Sequence, residues 1–236
     1  MGEIEEEKPY HKDGQPTYRD VIRDCQCKRI RMSIRRLKRS GLEPVMKRST
    51  FDRFEVTEDW QKTIKSAAEN FPKEVDSLNE KWFYIGGGVG SGKTHLCTAI
   101  ARELLWQGKE VRYMLWVKES QQMKAVVNDE AYNEMLEKLQ NVEVLYIDDF
   151  FKPMKDGYGQ EMRPTSADIR LAYEIINHRY QHQDLITIIS SERHISEIEE
   201  IDSAVGSRIY EMTKRNAYNI AKTKDRNYRL KDMTIL

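Results

Sequence analysis

A glycine-rich run that ends in lysine and threonine has the clearest chemistry in this 236-residue chain. It reads Gly-Gly-Gly-Val-Gly-Ser-Gly-Lys-Thr-His over 86–95. Glycines let backbone N–H groups converge on phosphates, and the following helix presents its positive end to them. In this pattern the lysine reaches the β- and γ-phosphates, and the threonine hydroxyl ligates Mg²⁺. The run therefore predicts a nucleotide site made of Gly87, Gly88, Val89, Gly90, Ser91, Gly92, Lys93, Thr94 and His95.

Two adjacent carboxylates end an apolar stretch further along the chain, Val144-Leu-Tyr-Ile-Asp148-Asp149. A buried strand with acids at its tip suits a nucleotide-hydrolysing site, where the first acid holds Mg²⁺. We predict that Asp148 is a magnesium ligand together with Thr94. Asp149 would orient or deprotonate the attacking water, a role more often filled by glutamate. Acids that merely end a strand in solvent are the alternative, and the phosphate loop upstream favours catalysis.

A third polar cluster follows another apolar run, Leu185-Ile-Thr-Ile-Ile-Ser190-Ser191-Glu192. Polar residues at the end of a buried strand beside the acid-tipped one can touch the γ-phosphate or the water. We assign this sensing role to Ser191. The alternative is that Ser190 or Ser191 caps the next helix.

Arg208 lies in a short helical stretch beyond that strand, Ala204-Val-Gly-Ser-Arg-Ile. From there it cannot easily reach its own phosphate loop, but it can reach the nucleotide of a neighbouring subunit. Such an arginine finger can contribute roughly 10³–10⁵ in turnover. For an isolated arginine, a surface ion pair is the alternative.

Strands that alternate with helices must position these residues. Apolar and β-branched runs predict strands at 82–86, 111–116, 142–147, 185–189 and 217–221. Helical periodicity predicts helices at 58–70, 94–106, 118–140 with a break near Asn128, 165–182, 195–201 and 203–212. Pro72 marks the end of the first helix, 152–164 is a loop, and Thr165 with Asp168 fits a capping box. This alternation predicts a parallel α/β sheet with ligands at the carboxyl ends of its strands.

The N-terminal residues divide by charge. Residues 1–18 are acidic and contain Pro9 and Pro16, which predicts a loose tail. Residues 19–48 are strongly basic, which is typical of an interaction arm. From about Arg19 to Ser40 the pattern is helical, and its apolar stripe of Ile30, Ile34 and Leu37 favours a partner or a neighbouring helix. We expect residues 1–49 to form a tail and a partner-binding basic helical arm, and residues 50–236 to form the nucleotide domain.

Composition excludes several classes of protein. No apolar run approaches the ~18–20 residues of a membrane span. The acidic N-terminus lacks the apolar core of a secretory signal. Three cysteines do not make a disulfide framework. We therefore expect a cytoplasmic protein without a membrane partner.

Four of these motifs, in this order, resemble a known family. They read GGGVGSGKTHL, LYIDDFF, TIISSE and AVGSRIYEM, and the stretch RSGLEPVMKRSTFDRF over 39–54 precedes them. The set resembles the bacterial and phage helicase loaders of the DnaC/DnaI type. These are AAA+ ATPases related to the IstB-type helpers of transposition. The resemblance covers about residues 25–236 and is far more specific than any one motif.

The resemblance implies a fold and a function for residues 50–236. The fold is an AAA+ P-loop ATPase core whose five-stranded parallel sheet has the order 5-1-4-3-2 and is flanked by helices. The cofactors are ATP and Mg²⁺, and ATP is hydrolysed at subunit interfaces with Arg208 acting in trans. The protein would self-assemble on single-stranded DNA and deliver a hexameric replicative DNA helicase. Few residues follow the last strand, so we expect no C-terminal helical lid.

The sequence departs from the family in two regions. Many relatives have two further cysteines before a pair like Cys25-x-Cys27, and this chain has none, so even with His11 a zinc site lacks ligands. The region 118–140, where related initiators touch single-stranded DNA, is not strongly basic. There Tyr132 can stack on a base, but with Met135, Leu136 and Leu139 it fits core packing better. Three interpretations of the basic arm at 19–48 are open. It docks on an acidic helicase surface, it contacts DNA phosphates, or it is a solvated helix face without a partner.

Three other functions are compatible with the phosphate loop. The first is an IstB-type helper ATPase that partners a transposase. The second is a small-molecule phosphotransferase, which needs an acceptor pocket and usually a basic lid, and neither motif is present in the sequence. The third is a nucleotide-gated binding module that hardly hydrolyses ATP, which Asp149 in place of glutamate leaves open.

Overall fold

The structure is a computed structural model that describes residues 3–12, 15–39 and 43–230. Its strands are β1 (Glu3–Lys12), β2 (Gln15–Asp24), β3 (Trp82–Gly87), β4 (Val111–Leu115), β5 (Val144–Asp148), β6 (Met154–Lys155), β7 (Glu161–Met162), β8 (Ile186–Ser191) and β9 (Ala217–Ile220). Its helices are α1 (Gln26–Arg39), α2 (Glu43–Arg48), α3 (Asp59–Glu74), α4 (Lys93–Trp106), α5 (Trp116–Ala125), α6 (Glu130–Asn141), α7 (Ser166–Gln181), α8 (Ile195–Ile201) and α9 (Ser203–Thr213). Short 3₁₀ turns at Phe51–Arg53, Val75–Ser77, Lys224–Arg226 and Tyr228–Leu230 complete the described chain.

A five-stranded parallel sheet forms the centre of the molecule, in the order β4-β5-β8-β3-β9. Counted in chain order within this sheet and read from the β9 edge, the order is 5-1-4-3-2. The α/β class and the parallel sheet flanked by helices are therefore confirmed. Two small antiparallel sheets, β1–β2 and β6–β7, were not predicted. The second of them lies within 152–164, which was predicted to be a loop.

Consecutive residues of the central strands point to opposite faces, so the sheet has two cores. On one face Phe83 and Ile85 pack in a cluster that includes residues of α3 and α4. On the other face Trp82 and Tyr84 pack in a cluster that includes residues of α7 and α9. Because both faces are covered, the strands are buried along nearly their whole length, as the apolar runs predict.

The prediction for residues 3–12 and 15–24 is wrong. Instead of a loose tail and a helix from Arg19, β1 and β2 pair as an antiparallel hairpin, with Lys12 opposite Gln15. The two residues between these strands are Asp13 and Gly14, a dipeptide typical of two-residue hairpin turns. Strand β2 also contains β-branched and aromatic residues that favour a strand over a helix.

Helix α1 packs on this chain's own core. Ile30 and Ile34 contact the cluster on the α3–α4 face, and Ser33 is fully buried. The backbone N–H of Val111 in edge strand β4 donates to the Ser33 hydroxyl over 3.4 Å. The side chain of Leu37 lies outside the described residues. The apolar stripe was predicted to pack on a partner or on a neighbouring helix, and its described residues pack on the core of this chain. The domain boundary at residue 49 stays a prediction.

Most helix bounds agree with the predictions, but α3 continues through Pro72 to Glu74. Proline removes one backbone hydrogen bond, and here that loss falls in the last turn. Phe71 and Val75 on either side are buried in the core, which stabilises the extra turn. The predicted capping box of Thr165 and Asp168 is present at the start of α7.

The described residues contain neither a membrane-spanning helix nor a C-terminal helical lid. None of the helices in the described ranges is long and apolar enough to cross a bilayer. After β9 the chain forms only two 3₁₀ turns up to residue 230, so a helical lid is absent from the described residues.

Candidate nucleotide site

The phosphate loop connects β3 to α4. Gly92 precedes the helix with φ of +85°, a left-handed conformation that disfavours other residues. The Ser91 hydroxyl donates to the carbonyl of Gly88 over 2.8 Å, and Val89 is half-exposed at the tip. The loop therefore has the shape that its glycines predict, with the N-terminus of α4 directed toward it.

Lys93 lies over this loop. Its ammonium donates to the carbonyl of Gly88 over 2.6 Å and lies 3.4 Å from the Ser91 hydroxyl. Only 7% of its surface is exposed, and burial lowers its pKa, although Glu192 and Asp149 act in the opposite direction. A poorly hydrated cation of this kind interacts strongly with a phosphate that enters the loop.

Asp148, at the end of β5, accepts hydrogen bonds from three side-chain hydroxyls. Its Oδ1 accepts from the Thr94 hydroxyl over 3.1 Å and also from the Ser190 hydroxyl. Its Oδ2 accepts from the Tyr113 hydroxyl over 3.0 Å. The hydroxyl and the carboxylate are hard oxygen ligands of the kind Mg²⁺ prefers, so Thr94 and Asp148 fit the predicted metal role.

Asp149 has a strained backbone and a cationic partner. Its φ is +55°, in the left-handed region, and its Oδ2 lies 2.8 Å from the ammonium of Lys152. The same ammonium lies 3.4 Å from Oε1 of Glu192. Partial burial alone would lower the pKa of Lys152, but the two carboxylates outweigh it and raise the pKa. Lys152 was not identified from the sequence, where it appears only as a lysine three residues after the second acid.

The two serines at the end of β8 have different partners. The Ser190 hydroxyl reaches Asp148, as described above, whereas the Ser191 hydroxyl donates to the carbonyl of Phe150 over 2.6 Å. Ser191 also accepts from the backbone N–H of Arg193 over 3.0 Å. Ser191 therefore fixes the loop after the acid pair, and the sensing role predicted for it stays a prediction.

Arg208 lies apart from the phosphate loop on α9. No hydrogen bond or ion pair joins it to the phosphate loop or the acid pair in the described residues. Gly206 allows α9 to pack closely on α8, because a Cβ at that position would lie 2.6 Å from the Cα of Glu199. Arg208 therefore makes no contact with its own site in the described residues, and the trans role predicted for it stays a prediction.

A cavity of about 240 Å³ borders the loop, with Phe54, Trp60 and Tyr228 in its walls. The backbone N–H of Tyr228 donates to the carbonyl of Gly90 over 3.0 Å, which closes one side. The indole Nε1 of Trp60 is a buried donor without a partner in the described residues. Aromatic walls beside a phosphate loop suit a planar nucleotide base.

The remaining candidate residues have structural contacts. His95 lies in the wall of the same cavity, and its Nε2 is 2.8 Å from the carbonyl of Thr50. Tyr132 packs against the core and its hydroxyl donates to Glu174, in keeping with the packing alternative. Cys25 and Cys27 form a disulfide, and the described residues contain no cluster of three metal-ligating side chains. The side chain of His11 lies outside them.

The chain is similar to known proteins over a part that includes the phosphate loop, the acid pair and Arg208. The family model of the bacterial DnaA ATPase domain matches residues 45–213. The uncharacterized protein YqaM of Bacillus subtilis (strain 168) is 34% identical over 199 residues, covering 80% of this chain and 60% of YqaM. The replicative helicase loader DnaC of Escherichia coli (strain K12) is 32% identical over 117 residues, covering 49% of this chain and 47% of DnaC. The chain thus spans only 60% and 47% of these relatives.

A solved structure shares the fold. The crystal structure of DnaI superposes with a TM-score of 0.60 at 22% sequence identity. The superposition covers 77% of this chain and 94% of DnaI. At this identity the likeness describes the fold alone.

Proposed function

The chain belongs to the family of the bacterial DnaA ATPase domain, and we propose that it is an ATPase that loads a replicative DNA helicase. The convergence of Thr94 and Asp148 beside the buried ammonium of Lys93 carries the ATPase part of the proposal. The similarity to the replicative helicase loader DnaC supports the helicase part.

In this proposal each residue of the site has a defined task. Lys93 and the backbone N–H groups of the loop bind the β- and γ-phosphates of ATP. Thr94 and Asp148 hold Mg²⁺, which neutralises the charge that develops on the phosphates. Asp149 orients or deprotonates the attacking water. Ser191 senses the γ-phosphate indirectly, through the backbone of the acid-pair loop to which its hydroxyl is bonded.

Assembly completes the site. Arg208 of one protomer approaches the nucleotide of its neighbour, so hydrolysis depends on self-association. We propose that the assembly forms on single-stranded DNA and delivers a hexameric helicase there. DNA affinity should fall with salt, because phosphate contacts release counterions.

Lys93→Ala tests the ATPase part of the proposal. Loss of the ammonium should abolish ATP binding or turnover, whereas Lys62→Ala, an exposed lysine on α3, should leave both unchanged. Binding is measured by titration calorimetry and turnover by phosphate release. Wild-type turnover by Lys93→Ala would contradict the assignment.

Co-purification with the cognate replicative helicase tests the partner. We expect the tagged chain to retain the hexameric helicase to different extents in ATP and in ADP. With ATP it should also increase the amount of helicase on circular single-stranded DNA. Failure to retain the helicase in either nucleotide, with ATP turnover intact, would reject the loader role and leave an ATPase with another partner.

A further inference from the structure

Arg208 is held by two aromatic rings. Its guanidinium carbon lies 5.4 Å from the ring centroid of Tyr173 and 5.4 Å from that of Tyr180. The two tyrosines are seven residues apart on α7, so they share one face of that helix two turns apart. Both distances are within the range of about 6 Å for a cation–π contact. The arginine is therefore placed by α7 as well as by its own helix.

The charge of Arg208 has no carboxylate partner among the described residues. Glu211 is three residues further on α9, where it could form an ion pair, but its Oε2 accepts from the Tyr180 hydroxyl over 3.0 Å. Of the guanidinium nitrogens, Nη1 donates to the carbonyl of Ala204 over 2.8 Å, and Nε is buried without a partner in the described part of the chain.

Aromatic rings orient a guanidinium without neutralising it. A carboxylate would instead cancel the charge and occupy two of the five N–H donors. An oriented, uncompensated arginine is prepared to bind an external anion, because less side-chain freedom is lost on binding. The rings of Tyr173 and Tyr180 form an aromatic clamp around Arg208. Tyr173 is itself 39% exposed, so the clamp is at the surface of the protomer, where a second protomer can reach it.

We propose that Tyr173 and Tyr180 are positioning residues that hold Arg208 ready to contact the γ-phosphate bound by a second copy of this chain. The inference rests on the proposed function, in which Arg208 acts in trans. It adds that the α7–α9 surface bearing these side chains faces the neighbour's phosphate loop. The competing explanation is that the rings only stabilise the packing of α7 on α9.

A mixing experiment separates these explanations. The acceptor protomer carries Arg208→Ala, so it binds ATP but supplies no finger. The donor protomer carries Lys93→Ala, so it supplies Arg208 but binds no ATP. Turnover of the mixture on single-stranded DNA then reports only the contact of the donor's arginine with the acceptor's nucleotide. Substitutions at Tyr173 are introduced in the donor alone, so they cannot affect the ATP that is hydrolysed.

We expect the unmodified donor to restore turnover, and a Tyr173→Phe donor to restore it equally, because phenylalanine retains the aromatic face. A Tyr173→Leu donor should restore about tenfold less, since misplacing a group in an active site costs of this order or more. Tyr180→Phe and Tyr180→Leu form a second pair, and because both lose the bond to Glu211, their comparison isolates the effect of the ring. Tyr210→Leu, an exposed tyrosine on α9 with no ring contact to Arg208 in the described residues, is the control.

The outcomes distinguish the inference from the proposed function. If the unmodified donor restores nothing, Arg208 does not act in trans, and the inference falls together with that part of the proposed function, whereas ATP binding by Lys93 and helicase loading are tested separately. If the leucine and phenylalanine donors restore turnover equally well, the finger stands and the clamp is rejected. The melting temperature of each donor is measured in parallel, and Tyr173→Gln replaces Tyr173→Leu if that variant does not fold. Equal impairment of the phenylalanine and leucine donors would also reject the clamp, because it would implicate the hydroxyl rather than the ring.

Discussion

The ammonium nitrogen of Lys152 lies 2.8 Å from Oδ2 of Asp149, so the carboxylate proposed to activate water is ion-paired. The same ammonium lies 3.4 Å from Glu192, which makes it a bridge between the ends of β5 and β8. This ion pair occupies one of the two carboxylate oxygens that could accept from an attacking water. If Asp149 activates water as proposed, Lys152 therefore competes with the water for that oxygen.

Removing this cation should raise basal turnover. We expect Lys152→Met to increase the ATPase rate of the protein without DNA or helicase by about threefold, because Oδ2 of Asp149 is then free to accept a hydrogen bond from the attacking water. Lys155→Met is the matched control, since Lys155 is exposed and has no ion pair in the described residues. Steady-state phosphate release measures both. A rate for Lys152→Met at or below that of the wild type would mean that Lys152 assists Asp149 instead.

Substitutions of the two adjacent acids should have different effects, one on metal binding and the other on water activation. Asp149→Asn should retain Mg²⁺-dependent ATP binding but lower turnover by about 10²-fold or more, because an amide cannot accept the proton. Asp148→Asn should weaken the dependence of ATP binding on Mg²⁺, since it removes the charged oxygen that Thr94 faces at 3.1 Å. ATP binding with and without Mg²⁺, measured by calorimetry, distinguishes them. Identical behaviour of the two variants would contradict separate roles.

Sequence patterns predicted the part of the fold that local periodicity determines. From β3 onward the buried strands read as apolar runs and the helices as amphipathic segments, so the sheet and the strand, loop and helix at 82–106 agree with the prediction. Asp148 and Thr94 were paired by motif, and the 3.1 Å contact between their side chains agrees with that pairing.

Contacts between distant segments were not predictable in this way. The bridge from Lys152 to Glu192 and the rings around Arg208 depend on which helix faces which strand end, and no single-segment pattern encodes this. The N-terminal hairpin was missed for another reason. Charge and proline content there indicate a loose tail, whereas the Asp13-Gly14 dipeptide is a local signal for a hairpin.

The packing of α1 predicts two different results for N-terminal truncation. Removing residues 1–24 deletes only the hairpin, whose strands pair with each other and with no other strand in the described residues. Removing residues 1–49 also uncovers the core contacts of Ile30 and Ile34. We expect the longer deletion to cost about 2–3 kcal/mol of unfolding free energy from lost apolar burial. That corresponds to a fall of roughly 5–10 °C in melting temperature.

Differential scanning calorimetry of the two truncated proteins checks this expectation. The shorter deletion should melt close to the full chain and provides the matched control for the longer one. If residues 1–49 can be removed without a change in melting temperature or ATP binding, α1 is an independent arm. Its apolar face would then be available to a partner.

Trp60 should report the entry of a nucleotide base. Its indole lies in the wall of the cavity beside the phosphate loop, with Nε1 buried and without a partner in the described residues. A base in this cavity would pack against the indole, and that contact changes indole fluorescence. We expect ATP to change the tryptophan emission, and inorganic tripolyphosphate, which occupies the loop without a base, to leave it nearly unchanged. Trp60→Phe should abolish the response to ATP, whereas Trp106→Phe, at an exposed position on α4, should retain it. A full response to tripolyphosphate, or an ATP response that survives Trp60→Phe, would place the base elsewhere.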